Sequence, residues 1–423
     1  MLIELFGKNF GCFRDEFRLS MVATPIDEGN DRGIVRATVK GDSEPLTLLR
    51  CAAIFGPNAS GKSTVLLAAS VLNYLMASSA KTNSDEPLGG YLPFLFDPAT
   101  RTAPVSLGLR GLVDGVVYEY AISFDHKKFL SEHLTALRPE GEARLLDRDE
   151  SAGRGEWDKD DQFRILAAAF RPNALLLSLA DSIAPALAGR IAAGLRQLVQ
   201  FFVSDAGLPW SFSERTAERA NKEPAFAAWL RPRLRDIDIG VADFKTEAVQ
   251  DPARPAPTNT SGSPPTRKQS FRISLSHAVA GAEPVELPLW RESTGTRRFL
   301  DFAPVLFDAT HGTEQRAFFV DELDSSIHPV LVRGLVDHFN REVPADQIRG
   351  QVVFAGHNVE LMEGEARDAV LRRDQVYFTE KDSTGAARLF SLAEFKERNI
   401  LNVRRRYLQG RYGALPLLGD FKE

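Results

Sequence analysis

Cysteine is scarce in this chain: its 423 residues contain two, Cys12 and Cys51. Two thiols without metal-type spacing exclude a disulfide framework and argue against structural zinc. They suit a reducing compartment, and the expectation is a cytoplasmic protein. A surplus of one charge is also missing. Lysine and arginine total 52 against 57 aspartates and glutamates, a formal net charge of −5. Nothing global therefore draws the chain to nucleic acid or to an anionic membrane, and any such contact needs a local basic patch. Long apolar runs are lacking too. A membrane span needs about 18 apolar residues or more, and no uninterrupted run is that long, so no membrane contact is expected. Glu4, Lys8, Arg14, Asp15 and Glu16 break up the start of the chain where a signal peptide would carry its apolar core. Internal repeats and coiled-coil heptads are absent as well.

What is present is a hydrophobic content of 43%, enough for a sizeable core in two or three units. Residues 1–125 alternate apolar runs with turn signals (LIELFGKNF, LLRCAAIFG, APVSLGLRGLVDGVVYEYAISF) and read mostly as strands. One helix is predicted among them, from Gly61-Lys62-Ser63 through VLLAASVLNYLMA. Residues 126–270 have a different texture and are expected to form a mainly helical insert or lid. In it Leu187, Ile191, Leu195, Leu198 and Phe202 recur at helical spacing and predict an amphipathic helix with a core-facing stripe. The end of that region, 249–270, is rich in Pro, Ser and Thr and reads as an exposed loop. Residues 271–423 return to strands (FRISLSHA, PVELPLW, RAFFVDE, QVVFAG) and a helix, ESTGTRRFLDFAPVLFDA. Short, continuously apolar strands suit a parallel sheet buried on both faces, and the fold class is α/β.

Three motifs carry chemistry. Gly56-Pro57-Asn58-Ala59-Ser60-Gly61-Lys62-Ser63, followed by Thr64, fits the P-loop pattern in full between an apolar strand and a helix. Glycines let successive N–H groups face phosphate oxygens, Lys62 reaches the β and γ phosphates, Ser63 supplies a hydroxyl to Mg²⁺, and the helix adds its positive end. The cofactors expected are ATP and Mg²⁺. Ala317–Val320 is an apolar strand that ends in Asp321 and Glu322. Asp321 is placed to hold Mg²⁺ and Glu322 to orient or deprotonate a water, although such pairs also begin ordinary solvated loops. Gln351–Ala355 is a second apolar strand, leading through Gly356 to His357, which fits a γ-phosphate contact or a satisfied polar residue.

In this order, with Glu292-Ser293-Thr294-Gly295-Thr296-Arg297 and FFVDELDSSIHP between them, the motifs resemble the ABC ATPase heads of SMC-like and RecF-like proteins. More narrowly the chain is similar to ATPases of bacterial abortive-infection and phage-defence systems, the RloA and AbiLi group and the ATPase of the PARIS system. The opening LIELFGKNFGCFRDEFRLSMVA and the closing VYFTEKDSTGAARLFSLAEFKERNILNVRRRYLQGRYGALP carry this likeness, which leaves the middle of the chain largely uncovered. The resemblance implies a P-loop ABC head with its signature at Ser293 and Gly295, reaching across a homodimer of heads to the phosphate held by the partner copy's P-loop lysine. It also implies that Asp324 and Ser325 form the loop that touches the opposite subunit. Without the family, ESTGTRR is an ordinary capped helix start, and Asp324 and Ser325 are caps for the helix that follows. Two features depart from the pattern. Pro93–Asp97 lies near the place of a glutamine-bearing loop but has no glutamine, and the signature is not of the transporter form.

Three functions fit these readings. The first is an ATPase acting as a dimeric clamp or sensor in anti-phage defence, controlling a separate effector such as a Toprim-like nuclease or a toxin. The effector is expected on another chain because only 423 − 357 = 66 residues follow His357, too few for a further domain of usual size. The second is a DNA-repair or DNA-clamping ATPase, with nucleic acid as partner. Arg404-Arg405-Arg406 with Tyr407 and Arg411 is the best local basic cluster for it. The third is a nucleotide-locked scaffold, against which Glu322 argues. Glu380, Asp382, Glu394 and Glu397 read as a solvated surface.

Overall fold

The computed structural model describes residues 1–25, 32–149, 171–183, 187–202, 211–238, 240–249, 270–312, 315–341, 350–363, 369–395 and 402–416. The loop expected at 249–270 lies outside them except for its two end residues. In chain order the strands begin with β1 (Leu2–Lys8), β2 (Phe17–Ser20), β3 (Ile34–Ala37), β4 (Leu46–Leu49) and β5 (Cys51–Phe55). They continue with β6 (Val105–Val113), β7 (Val116–Phe124), β8 (Phe129–Arg138), β9 (Gly141–Asp149) and β10 (Val199–Phe202). The remainder are β11 (Val241–Val249), β12 (Ser270–Val279), β13 (Ala282–Pro288), β14 (Arg316–Val320), β15 (Gly350–Ala355), β16 (Val376–Lys381) and β17 (Ala387–Ser391). The helices are α1 (Lys62–Ser78), α2 (Leu176–Ile183), α3 (Leu187–Leu198), α4 (Ser211–Lys222), α5 (Pro224–Ile237), α6 (Thr294–His311), α7 (Pro329–Asn340) and α8 (Val403–Leu408). The chain divides into two compact units, one of Met1–Val203, Gly312–Leu323 and Arg333–Glu423, the other of Ser204–His311 and Asp324–Val332.

The first unit is built on two six-stranded sheets, in the orders β2-β1-β6-β7-β8-β9 and β10-β14-β15-β5-β16-β17. The first is antiparallel and shows the alternation such a sheet requires: along β7, Tyr118, Tyr120, Ile122 and Phe124 are buried and the residues between them are not. In the second, β10, β14, β15, β5 and β16 run parallel. Every residue of β5 and of β15 is buried, as strands covered on both faces must be. The covering element is α1, which packs on β10, β14 and β15 of this sheet and on β6 of the other. Its Val65, Ala69, Leu72 and Met76 repeat at three- and four-residue spacing and join one core cluster with both sheets. The segment Lys62–Lys81 is long and apolar enough to cross a bilayer by composition, but its apolar side is spent on this core.

The expected domain boundary at 125 does not match these units. β8 and β9 continue the antiparallel sheet through Asp149, and α2, α3 and β10 remain in the first unit. β9 reads GEARLLDRD, an edge strand charged enough to hide its pattern in the sequence. The tie between sheet and helix is Glu132 of β8, fully buried, which accepts from Tyr120 Oη at 2.9 Å and from the first N–H groups of α2, Leu176 at 2.8 Å and Leu177 at 3.0 Å. Burial pushes this carboxyl up, while the Arg148 guanidinium at 3.5 Å and the two backbone donors pull it down. The amphipathic stripe ends one element early. Ile191, Leu195 and Leu198 are buried on α3, but Phe202 lies on β10, which pairs with β14.

The second unit has a three-stranded antiparallel sheet, β11-β12-β13, packed against α4, with α5 and α6 beside that helix. Phe226 and Trp229 of α5 meet Phe307 of α6 edge to face, at centroid distances of 5.3 and 5.6 Å. Pro304 sits inside α6 and cannot supply the N–H that the Leu300 carbonyl needs one turn earlier. Thr216 of α4 fills that place: its buried hydroxyl donates to Leu300 O at 2.7 Å. Thr216→Val should therefore cost about 1–3 kcal/mol, measured as a lowered urea midpoint with an unchanged slope.

On the same helix, burial pushes the Asp301 carboxyl up to about 6, against the pull of Arg298 and Arg297. A raised folded pKa stabilises the fold below the ordinary value of 3.8, and that contribution is lost as pH rises through about 6. Asp301→Asn should accordingly be more stable than the wild type by about 1–2 kcal/mol at pH 7.5, after allowance for partial exposure. The difference should close toward pH 4, as read by thermal melting across pH.

Candidate nucleotide site

The parallel sheet gathers the motifs at one edge. Val320 of β14 is paired with Phe354 of β15, and Ala355 of β15 with Ile54 of β5, so three neighbouring strands end level with one another. Two bonds extend the alignment past the strands: Gly356 N–H donates to Ile54 O at 3.2 Å and Leu323 N–H to Ala355 O at 3.2 Å. Asp321 and Glu322, Gly356 and His357, and the loop that starts at Gly56 therefore leave the sheet from the same carboxyl edge, where parallel sheets bind ligands.

The loop conformation depends on backbone angles that a side chain would resist. Gly61, the residue before α1, has φ +117°, and Gly56 has φ +152° with the Thr379 carbonyl so close that a Cβ would lie 2.4 Å from it. Lys62 is buried and its ammonium donates to Gly56 O at 2.8 Å and Pro57 O at 2.9 Å, folding back over its own loop. Asn58, Ala59 and Ser63 are exposed, while Pro57 and Thr64 are half-buried. Ser60 is buried, and its hydroxyl lies 2.6 Å from Thr379 Oγ1 on β16. Thr379 Oγ1 also lies 3.4 Å from Phe55 O, the carbonyl of the last residue of β5. Sequence reasoning missed Thr379, which stands more than 300 positions from the loop it braces; a lone threonine in VYFTEK carries no signal.

Asp321 is half-buried, and one of its carboxylate oxygens accepts from Glu322 N–H at 3.1 Å. Glu322 is exposed at φ +49°, a conformation that few residues other than glycine adopt. Such a departure is retained where the surroundings enforce it, and here the chain must turn sharply to bring Leu323 into the core. His357 is exposed beyond the last buried residue of its strand.

Ser293, Gly295, Asp324 and Ser325 belong to the second unit. Ser293 is exposed and its Oγ accepts from Thr296 N–H at 3.0 Å, which caps α6. The neighbouring Glu292 is buried and bonded to His277 Nε2 of β12 at 2.9 Å. A Cβ on Gly295 would lie 2.6 Å from the Ser326 carbonyl, so the turn that opens α6 is packed on the loop holding Asp324 and Ser325, both half-buried. At the start of α7, His328 Nδ1 accepts from Val330 N–H at 3.3 Å, which places the cap on His328.

The remaining sequence features have structural partners. Asn9, at φ +53°, accepts from Phe94 N–H at 3.0 Å and donates to the carbonyls of Thr100, Ala103 and Pro104, so the segment around Pro93–Asp97 is wound about one amide. Arg404 pairs with Glu363 at 3.2 Å, while Tyr407 is buried and stacks on Phe378 at 5.1 Å, docking α8 by the face between its arginines. Glu380 bonds Arg388 and Ala414 N–H, and Asp382 closes a turn through Thr384 and Ala386, which lowers its pKa. Glu394 caps a short turn through Ser391 N–H, and Glu397 lies outside the described residues.

A family model described as "AAA domain, putative AbiEii toxin, Type IV TA system" matches residues 51–363 of the 423. The chain belongs to that family. The match opens at β5 and closes six residues after His357, so the P-loop, the turn at Asp321 and Glu322, the start of α6 and His357 all lie within the AAA domain. The domain, with its P-loop between β5 and α1, is a nucleotide-binding ATPase domain of α/β fold. No curated protein matches the chain. Among solved structures, the chain is similar to an SMC head domain from Thermotoga maritima, at 12% identity and a TM-score of 0.38, over 92% of this chain and 98% of that one.

If the Ser60–Thr379 bond holds the phosphate loop in shape, Thr379→Val should weaken nucleotide binding by about five- to ten-fold, the worth of one buried hydrogen bond. Calorimetric titration with ATP checks this, with melting alongside to show that the sheet is intact.

Proposed function

We propose that this protein hydrolyses ATP and works as a homodimer, or higher homo-oligomer, of heads that close on nucleotide. The observation that carries the reading is the shared edge of β14, β15 and β5, from which a P-loop, two acids and a histidine emerge together. Phosphates are held by the N–H groups of Gly56–Thr64 and by Lys62, whose ammonium exchanges its two carbonyl partners for phosphate oxygens. The exposed Ser63 hydroxyl and the half-buried Asp321 carboxylate fit Mg²⁺ and would hold it. Mg²⁺, when bound, offsets charge on the β and γ phosphates. Glu322 orients and deprotonates the attacking water, and its left-handed backbone sets the direction of its carboxylate. His357 contacts the γ-phosphate and distinguishes ATP from ADP.

Ser293 and Gly295 of one copy approach the phosphate on the other, and Asp324 and Ser325 move with them because Gly295 is packed on Ser326. ATP binding then joins the heads and hydrolysis releases them. The family description names a toxin and a toxin–antitoxin system. On that ground, and on the likeness to the phage-defence ATPases, we infer a cytoplasmic sensor that controls a separate effector, a Toprim-like nuclease or a toxin, in bacterial anti-phage defence.

Glu322→Gln should lower hydrolysis by about 100-fold or more, the usual worth of a positioned general base, and should accumulate an ATP-bound dimer. Phosphate release and mass in solution, with and without Mg-ATP, measure both. Unchanged hydrolysis would overturn the role of Glu322, and no ATP-dependent association would overturn the clamp.

A further inference from the structure

The turn that opens α6 contains a chain of hydroxyl groups whose direction is fixed. Asp238, at the end of α5, offers only acceptors as a carboxylate, and Thr296 Oγ1 donates to its Oδ2 at 3.1 Å. Its other oxygen, Oδ1, accepts from Gly240 N–H at 3.1 Å, which holds the carboxylate in place. Ser293 Oγ lies 2.7 Å from Thr296 Oγ1, a separation at which one proton must lie between the two oxygens. The proton of Thr296 is committed to Asp238, so the one between them belongs to Ser293. Thr296 is 2% exposed, so its hydroxyl has these two neighbours and not solvent to bond to. The exposed Ser293 thus has its single donor turned inward, while a lone pair accepts from Thr296 N–H at 3.0 Å.

We propose that Asp238 and Thr296 are positioning residues that act as a brake on phosphate contact by Ser293. The inference rests on the reading of Ser293 as the group that meets the partner copy's nucleotide. A phosphate also needs the Ser293 proton, so it competes with Asp238 for the same chain. When the phosphate takes that proton as a hydrogen bond, the Thr296 hydroxyl rotates to donate to Ser293 Oγ, and Asp238 loses one donor. No proton changes owner; two hydroxyls rotate. Closure on nucleotide is therefore weaker than the contact surface alone would make it, and every engagement breaks the bond to Asp238.

The test compares ATP-dependent self-association of the full chain with Mg-ATP in the Glu322→Gln background, with or without Thr296→Val, Asp238→Asn or Ser293→Ala. Thr296→Val removes the inward acceptor, and Asp238→Asn supplies an N–H donor to Thr296 that reverses the chain. Both are expected to tighten association about ten-fold, since one hydrogen bond to a charged group no longer has to break. Thr296→Ser, which keeps the hydroxyl, should match the parent, and Ser293→Ala should associate more weakly. Tighter association in both variants supports the brake, because residues that merely shaped the turn would lose association when altered. Weaker or unchanged association in both, with Ser293→Ala still impaired, overturns the brake and leaves the dimer reading standing. Unchanged association in Ser293→Ala overturns the reading of Ser293 and the brake with it.

Discussion

The backbone register of the parallel sheet is the constraint on which the rest of the first unit depends. β14, β15 and β5 are apolar and almost wholly buried, so each is held by its ladder bonds and by burial on both faces. A slip of one residue would move a face of side chains out of α1's cover and carry Asp321 or His357 to the wrong side of the strand exit. The bonds from Leu323 to Ala355 and from Gly356 to Ile54 extend that register into the turns that hold Asp321, Glu322 and His357. Rigidity in the strands thus becomes placement at the edge.

Around this frame, polar side chains supply backbone or loop partners where regular structure cannot. Glu132 caps α2 from a neighbouring strand, Thr216 replaces the donor that Pro304 lacks, Asn9 organises the segment after α1, and Thr379 braces Ser60. Each is buried or nearly so, where an unmet polar group is costly. Lys62 and Ser293 differ in kind. Their donors are satisfied by partners that a phosphate can replace, carbonyls of the loop for Lys62 and a hydroxyl chain for Ser293. Both groups are oriented by weaker acceptors than the anion they would meet, and this allows binding to reorganise them.

How much of this was legible varied with the range of the interactions. The P-loop was readable because its function is local: a strand, glycines, a lysine and a helix start occupy consecutive positions from Cys51 to Thr64. The α6 start and the β14 and β15 strands were readable for the same reason, through caps and continuous apolar runs. β9 was not, because an edge strand pairs on one side and tolerates charge. Phe202 fitted the helical stripe by spacing and yet lies in β10, where pairing with β14 outweighed periodicity.

The sequence by itself therefore determined the phosphate loop, its lysine, the acidic pair and the α/β character of the chain, since each follows from residue type at fixed short spacing. Tertiary structure alone decided where the two units divide, that Thr379 supports Ser60, that Glu322 sits at a positive φ, and which way the Ser293 hydroxyl points. Those features depend on contacts between residues tens to hundreds of positions apart, or on proton directions set by a distant carboxylate. Neither leaves a periodic trace along the chain.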